Sequence, residues 1–435
     1  VKLPIYVPVK GTLERFIFVL NSNKKGRLKM KSRIITAQIF MAGATVTISG
    51  TVLAQNSVTL YGVIDNGFSY QTSQTSLGRT SGGASAVKMT NGVWLGSRFG
   101  LKGAEDLGGG TKAIFTLEEG FNSATGAQAS SGLMFSRQAF VGMANDKYGS
   151  LTAGRQYVSY YQLLSPFGPT QWMTGYFGAH PGDIDGLDTG YRTNNTLLYM
   201  SPKLYGVTVS GSYSFGGVPG SVNRGATWSV AAQYGQGPIG VGVGISRINN
   251  STLGGGAFGP DSTTSSAGAQ SGVSALTNGY QTAQAQQRFA VGASYTFGNA
   301  FDVKAVYTNV QYIPGAGSRF HDVAIFNTGG VTLHWKPTVT WDFATGYSYT
   351  RATRANGITG SAQYQQFNLS EYYSLSKRTG LYALQAFTRA NGQTLGTNGA
   401  GNIIDATATI GDGFNSTPSS SRSMFAAGVG IVHRF

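Results

Sequence analysis

The chain has 435 residues, of which 64 are Gly, none is Cys, 12% are aromatic and only 11% are charged. A soluble domain carries roughly 25% charged residues, and each Gly weakens a helix interior by about 1 kcal/mol, so an ordinary soluble domain and a helical bundle are both excluded. The absence of Cys removes disulfides, thiol catalysis and Cys-based metal sites, and no run of about 20 apolar residues marks a helical membrane span in the body of the chain. The net charge of +15 is concentrated at the front: residues 1–54 hold nine Lys/Arg against Glu14, which leaves +7 on residues 55–435. So thin a spread is not the gathered basic face that nucleic-acid binding requires, and no nucleic-acid partner is expected.

The chain opens on processing signals rather than on a fold. From Met30, "MKSRIITAQIFMAGATVTISGTVLAQ" places Lys31 and Arg33 before a mostly apolar stretch from Ile34 to about Ile48, then small residues up to Ala54. Residues 30–54 are therefore expected to be a secretory signal peptide cut after Ala54. Lys25-Gly26 requires a purine-rich coding string resembling a ribosome-binding site, and only Arg27, Leu28 and Lys29 separate it from Met30. Residues 1–29 are expected to be a spurious upstream extension, an untranslated leader read as protein.

From Gln55 onward the period is two. In "SVTLYGVIDNGFSY" (57–70), Val58, Leu60, Gly62 and Ile64 alternate with Thr59, Tyr61, Val63 and Asp65. "VWLGSRFGLKG" (93–103) places Leu95, Ser97, Phe99 and Leu101 on one face and Gly96, Arg98, Gly100 and Lys102 on the other; "VTVSGSYSF" (207–215) and "RFAVGASYTFG" (288–298) continue the theme. Strands of about 10 residues with one apolar face and one polar or Gly face are the pattern of a transmembrane β-barrel. Short joints lie at 105–110, 145–150, 201–206, 235–240, 297–300, 335–338 and 376–380; longer Gly/Ser/Thr/Asn-rich loops lie at 72–92, 122–133, 158–191, 250–286 and 391–420. Short turns on one rim and long loops on the other are expected of such barrels. Seven joints make seven hairpins, and the first and last strands bring the count to sixteen, enough for a water-filled lumen. The final "GVGIVHRF" alternates Val429, Ile431, His433 and Phe435 against Gly428, Gly430, Val432 and Arg434. A closed barrel has no free edge, so this strand is expected to pair with the first.

Six stretches in order, "SVTLYGVID" after the signal peptide, "SRFGLKGAEDLGGGTKAIFTLE" (97–118), "RQAFVGM" (137–143), "YRTNNTLLYMSP" (191–202), "YYSLSKRTGLYAL" (372–384) and the terminal "HRF", resemble the general porins of Gram-negative bacteria, nearest to the beta-proteobacterial type. The resemblance covers residues 57–435 within a porin β-barrel spanning 55–435. It implies an all-β fold, a sixteen-stranded antiparallel transmembrane β-barrel with an inward-folded third loop, assembled as a homotrimer in the outer membrane. It implies a diffusion channel for small hydrophilic solutes and ions, with outer-membrane lipid, lipopolysaccharide and the barrel-assembly machinery as partners. Phe435 is the expected assembly signal.

The loop at 158–191 fits the inward role: it carries Phe167, Trp172, Met173, Tyr176 and Phe177, and its charges are Asp183, Asp185 and Asp188 with no Lys or Arg. The commoner form of the loop has Pro-Glu-Phe-Gly, whereas "SPFGP" (165–169) lacks the acid. Arg98, Arg137 and Arg192 match family positions lining the constriction, and Arg155 is a further candidate. Their distances from the nearest short joints put them about 12–22 Å above the turn rim. Alternation faces Arg98 and Arg192 inward and leaves Arg137 and Arg155 open. An Arg facing lipid at mid-bilayer costs about 2–4 kcal/mol, which favours the lumen, and a ring of Arg favours anions.

Other signals are weaker. "GGGTK" (108–112) lacks the order of a phosphate loop. "DIDGLD" (183–188) lacks the full Ca²⁺ ligand spacing, and the four His are scattered without metal spacing. No cofactor and no enzymatic activity are expected. The alternatives are a substrate-specific porin, for phosphate, organic anions or oligosaccharides, and a surface adhesin or receptor barrel using the loops at 250–286 and 391–420.

Overall fold

Alternating apolar and small residues give each strand one face that tolerates no water and one that does, and closing the sheet on itself satisfies both. The computed structural model describes residues 57–435 except 174, 189–191, 252–272 and 412–417, with the backbone alone at 173, 175 and 176. The upstream extension at 1–29 and the signal peptide at 30–54 lie outside the described residues. The strands are β1 (57–74), β2 (84–91), β3 (98–108), β4 (111–120), β5 (138–145), β6 (149–157), β7 (192–200), β8 (207–214), β9 (227–236), β10 (239–249), β11 (285–297), β12 (301–313), β13 (324–335), β14 (341–352), β15 (363–374), β16 (379–391), β17 (393–396), β18 (399–405) and β19 (423–434). All but β17 and β18 form one antiparallel sheet in which each strand pairs with its neighbours around the circuit. β2 and β3 lie end to end along β1, so the circuit has sixteen positions. It closes where β1 meets β19, from Val63 opposite Arg434 to Gln71 opposite Ala426.

The seven short joints all close hairpins between consecutive strands. The opposite rim carries eight connections, at 75–83, 121–137, 158–191, 215–226, 250–284, 314–323, 353–362 and 392–422. Those at 215–226, 314–323 and 353–362 were not expected as separate loops; they are short enough that composition alone does not set them off from the strands.

The outer face is apolar, with Val58, Phe68, Val141, Val243, Val331 and Phe367 exposed. Alternating positions turn inward, where Gly240, Gly242 and Gly244 leave space beside the wall. The alternation drawn through Leu95 is a correction. Residues 92–97 form a turn between β2 and β3, not strand. The backbone N–H groups of Trp94 and Leu95 donate to Asp65 Oδ2 at 2.9 and 2.6 Å, and Leu95 packs against the interior core instead of facing outward. The inward carboxylate of Asp65 captures the turn, and Tyr382 Oη donates to its other oxygen at 2.6 Å.

Candidate functional site

The third long connection, 158–191, turns into the barrel and folds as short helices: α1 (159–164), α2 (170–173) and α3 (175–178). Ser159 Oγ lies 2.8 Å from Ser210 Oγ, and the Tyr160 N–H donates to Ser229 Oγ at 2.7 Å, which seats α1 on β8 and β9. Phe167 fills the space left by Gly242 and Gly292, and Leu164 that left by Gly244; a side chain at any of these glycines would collide with the loop. Further along, Lys304 on β12 donates to the Pro166 carbonyl and the Gln171 side chain, its ammonium 3.7 Å from the centre of the Trp172 ring. Trp172 stacks on His334 of β13, with ring centres 4.3 Å apart and planes 7° from parallel. His334 in turn meets Asp302 at 2.8 Å and Asp342. Gln366 Nε2 donates to the Ala179 carbonyl at 2.6 Å, and Phe177 rests on Gly428. The loop is thereby fastened across β8–β16 and β19.

Its last anchor is a buried ion pair. His180 Nδ1 lies 2.6 Å from Asp185 Oδ2, which also accepts from Thr308 Oγ1 at 3.1 Å. Burial opposes a charge on His180, but the Asp185 carboxylate outweighs it and raises the imidazole above its ordinary value. Burial likewise opposes ionisation of Asp185, and His180 with Thr308 holds it below the usual carboxylate range.

Between this loop and the facing wall lies a cavity of about 730 Å³ lined by Arg98, Arg137, Arg155 and Arg192, with Asp188 as its one lining carboxylate. Arg98 opens β3 in phase with Gly100 and opposite to the exposed Phe99 and Leu101, so it points inward. Arg192 opens β7, but a bulge between Thr193 and Thr196 breaks the phase that links it to the exposed Leu197 and Tyr199, and Thr193 is fully buried; the bonds of Arg192 place it instead, Nη2 donating to Tyr157 Oη at 2.7 Å with the guanidinium 4.6 Å from that ring's centre. The two arginines that alternation left open also reach the cavity. Arg137 precedes the first residue of β5, outside the regular pleat, and donates from Nε to Glu118 at 2.7 Å and from Nη2 to Tyr157 Oη at 2.9 Å. Arg155, between Gly154 and Gln156, stands opposite a bulge in β7 that sets Asn194 and Asn195 against it; it donates to the Ser136 carbonyl and to Asn194 Oδ1, each at 2.7 Å.

The three aspartates separate. Asp188 lines the cavity. Asp185 is fully buried in the pair with His180, and Asp183 Oδ1 accepts from the Asp188 N–H at 3.1 Å, so both shape the loop. Sequence reasoning missed Glu118, whose carboxylate lies behind the cavity wall, 2.7 Å from Arg137 and 3.8 Å from Arg98, with Tyr61 Oη donating to it at 3.0 Å. It also missed Tyr157, which links Arg137 to Arg192. The register offered a signal for Glu118, because it stands opposite Gly100, in the inward phase of Arg98. Among the described residues no group of His, Asp and Glu has the arrangement of a metal site.

The profile of the Gram-negative porin family matches residues 41–393. An outer membrane porin protein of Bordetella pertussis is 36% identical over 197 residues, 43% of this chain and 48% of that protein. Outer membrane porin protein 32 of Delftia acidovorans is 29% identical over 290 residues, 61% of this chain and 78% of that protein. The chain thus spans about half the length of the Bordetella relative it matches. Among solved structures, an anion-selective porin from Comamonas acidovorans superposes with a TM-score of 0.60 at 22% identity, covering 88% of this chain and all of that one. A trimer form of an outer membrane protein of Vibrio cholerae superposes at 0.58 with 16% identity, covering 87% and 99%. With a sixteen-stranded barrel, an inward third loop and a family match over most of its length, the chain belongs to the Gram-negative porins of the outer membrane.

Proposed function

We propose that this porin is a general diffusion channel for small hydrophilic solutes that prefers anions, and that Arg98, Arg137, Arg155 and Arg192 set the preference. The observation that carries this reading is the lining of the constriction, with four guanidinium groups and one carboxylate, Asp188. In a narrow aqueous path beside a low-dielectric wall, such a surplus raises the local anion concentration. The porin from Comamonas acidovorans, described as anion-selective, has the same fold. Passage through such a path calls for no catalytic group.

The reading is tested by reversal potential in a tenfold KCl gradient, for the wild type and for Arg98→Glu/Arg192→Glu. An anion-preferring wild type that loses its preference in the double variant supports it. A cation-preferring wild type, or an unchanged potential in a folded variant, overturns it.

The protein is further proposed to act as a homotrimer, with Phe435 read by the assembly machinery and with cleavage after Ala54. Exposed apolar side chains on β1, β2 and β19, among them Val58, Phe68, Val87, Met89 and Val429, support a subunit contact there. Light scattering in mild detergent and the intact mass of purified protein check these points.

A further inference from the structure

We propose that the channel has a second constriction at its outer mouth, built from the β17–β18 hairpin and residues 273–284, which limits solutes by size and is nearly blind to their charge. The inference rests on the channel reading above but concerns other residues.

The starting observation is a dry inner wall. At the long-loop end of β12, β13, β15 and β19, the inward side chains Val310, Tyr312, Phe326, Tyr364 and Met424 are apolar or aromatic and at most 1% exposed. In an open barrel they would line water. Here they are covered by the loops. Tyr280, in the fifth long connection, stacks on Tyr312 with ring centres 5.3 Å apart and meets Phe326 edge-on at 5.6 Å. Leu276 beside it and Leu395 and Ile410 in the eighth connection have no exposed surface. Leu395 packs so closely on Gly279 that a side chain at 279 would overlap it.

The fifth connection leaves the wall between β10 and β11, and the eighth between β16 and β19, with six strands of the circuit between them. Their contact therefore crosses the lumen instead of following its edge. Three bonds fix the cover. Asn278 Nδ2 donates to Thr397 Oγ1 at 3.0 Å, the Ala400 N–H to the Arg319 carbonyl at 2.8 Å, and Thr359 Oγ1 to Gln393 Oε1 at 3.1 Å. The described parts of the two loops are thus not the free surface expected of an adhesin.

Charge separates this cover from the arginine site. Residues 273–284 and 393–411 contain one charged side chain, Asp405, and it is paired with Arg422 at 3.0 Å. A solute must pass the cover and then the arginines. Resistances in series add for each ion, so narrowing at a sparsely charged mouth adds nearly the same term to anion and cation, lowers both currents and dilutes the preference set by the inner site.

The hairpin can be excised without moving its ends, because the Ala406 N–H donates to the Gly392 carbonyl at 2.9 Å and Gln393 pairs with Asp405. We would replace residues 394–404 by Gly-Gly, which keeps the Asp405–Arg422 pair, and make Leu395→Asn separately. Conductance and reversal potential would be read in planar bilayers, and uptake of neutral mono-, di- and trisaccharides by liposome swelling. The expected result is a conductance rise of about 1.5-fold or more, with a reversal potential that keeps its sign and moves modestly toward the chloride limit, and a larger gain for trisaccharide than for monosaccharide. If the excision does not assemble, Leu395→Asn, which weakens the hairpin's apolar seat without adding charge, must show the same direction. Folded variants with wild-type conductance and wild-type sugar-size dependence overturn the proposal. So does a shifted reversal potential at unchanged conductance. Failure of the channel reading itself would be distinct: the wild type would pass no monosaccharide.

Discussion

Glu118→Gln isolates the electrostatics of the constriction from its shape. The glutamine keeps a carbonyl oxygen to accept from Arg137 Nε, now bonded at 2.7 Å, and puts an amide NH2 where Glu118 accepts from Tyr61 Oη at 3.0 Å, so that the tyrosine hydroxyl becomes the acceptor there, while one negative charge is removed from behind the arginine wall. Glu118 is bonded to Arg137, and Arg137 lines the cavity, so an anion touching the far side of that guanidinium lies about 6 Å from the lost charge. At an effective dielectric of about 40, between surface and bulk values, Coulomb's law gives about 1.4 kcal/mol. Screening at about 0.1 M salt, where the Debye length is about 10 Å, reduces this to about 0.8 kcal/mol, or about fourfold in local anion concentration. The expected outcome is a reversal potential displaced further toward the chloride limit in a tenfold KCl gradient, with the displacement shrinking as both salt concentrations rise. Folded channels whose potential stays at the wild-type value, or moves toward the cation side, refute the reasoning, because they would mean that Glu118 does not act on the ion path.

Gly292→Val adds a branched side chain where Phe167 already fills the space; overpacking of this kind costs about 1–3 kcal/mol, and single-channel conductance should fall as the loop is pushed toward the arginines. Asp185→Asn breaks the buried pair with His180, a loss of about 3–5 kcal/mol, readable as a lower heat-dissociation temperature and a noisier open channel. In the wild type, the depressed pKa of Asp185 gives stability that is present above the unfolded carboxylate value and lost as pH falls through the folded one. The raised pKa of His180 gives stability that is complete below the unfolded imidazole value and lost as pH rises through the folded one. Open-channel noise should therefore be lowest between the two folded values and rise on either side, and Asp185→Asn should flatten that profile. Asp65→Ala removes the acceptor of the Trp94 and Leu95 N–H groups; at about 1–3 kcal/mol for such buried groups, hydrogen exchange at residues 92–97 should accelerate while the strands stay protected.

What the sequence determined by itself is whatever the pleat repeats. A period of two assigns faces wherever a strand is regular, which is why Arg98, opening β3 in phase with its strand, could be turned inward by alternation. Short joints between apolar strands announce themselves by Gly, Pro, Asn and Asp, and seven of them are enough to count the strands and close the barrel. Tertiary structure decided what departs from that period. Arg137 lies just before its strand, Arg155 opposite the bulge of β7 and Arg192 beyond it, so their sides were set by what they could bond, Glu118 and Tyr157 for Arg137, Ser136 and Asn194 for Arg155, and Tyr157 for Arg192. Asp183, Asp185 and Asp188 look alike within six residues of chain, yet Asp185 left the water path because Thr308, 123 positions away, and His180 offered it partners. The loops at the mouth are equally silent in sequence. Their composition reads as polar surface, and only the dry wall formed by Tyr312, Phe326 and Tyr364 reveals that Tyr280 and Leu395 have a place inside. Facing within a strand is local, because neighbouring residues set it through the pleat, whereas loop docking joins side chains that no repeat connects and is settled by packing once the barrel exists.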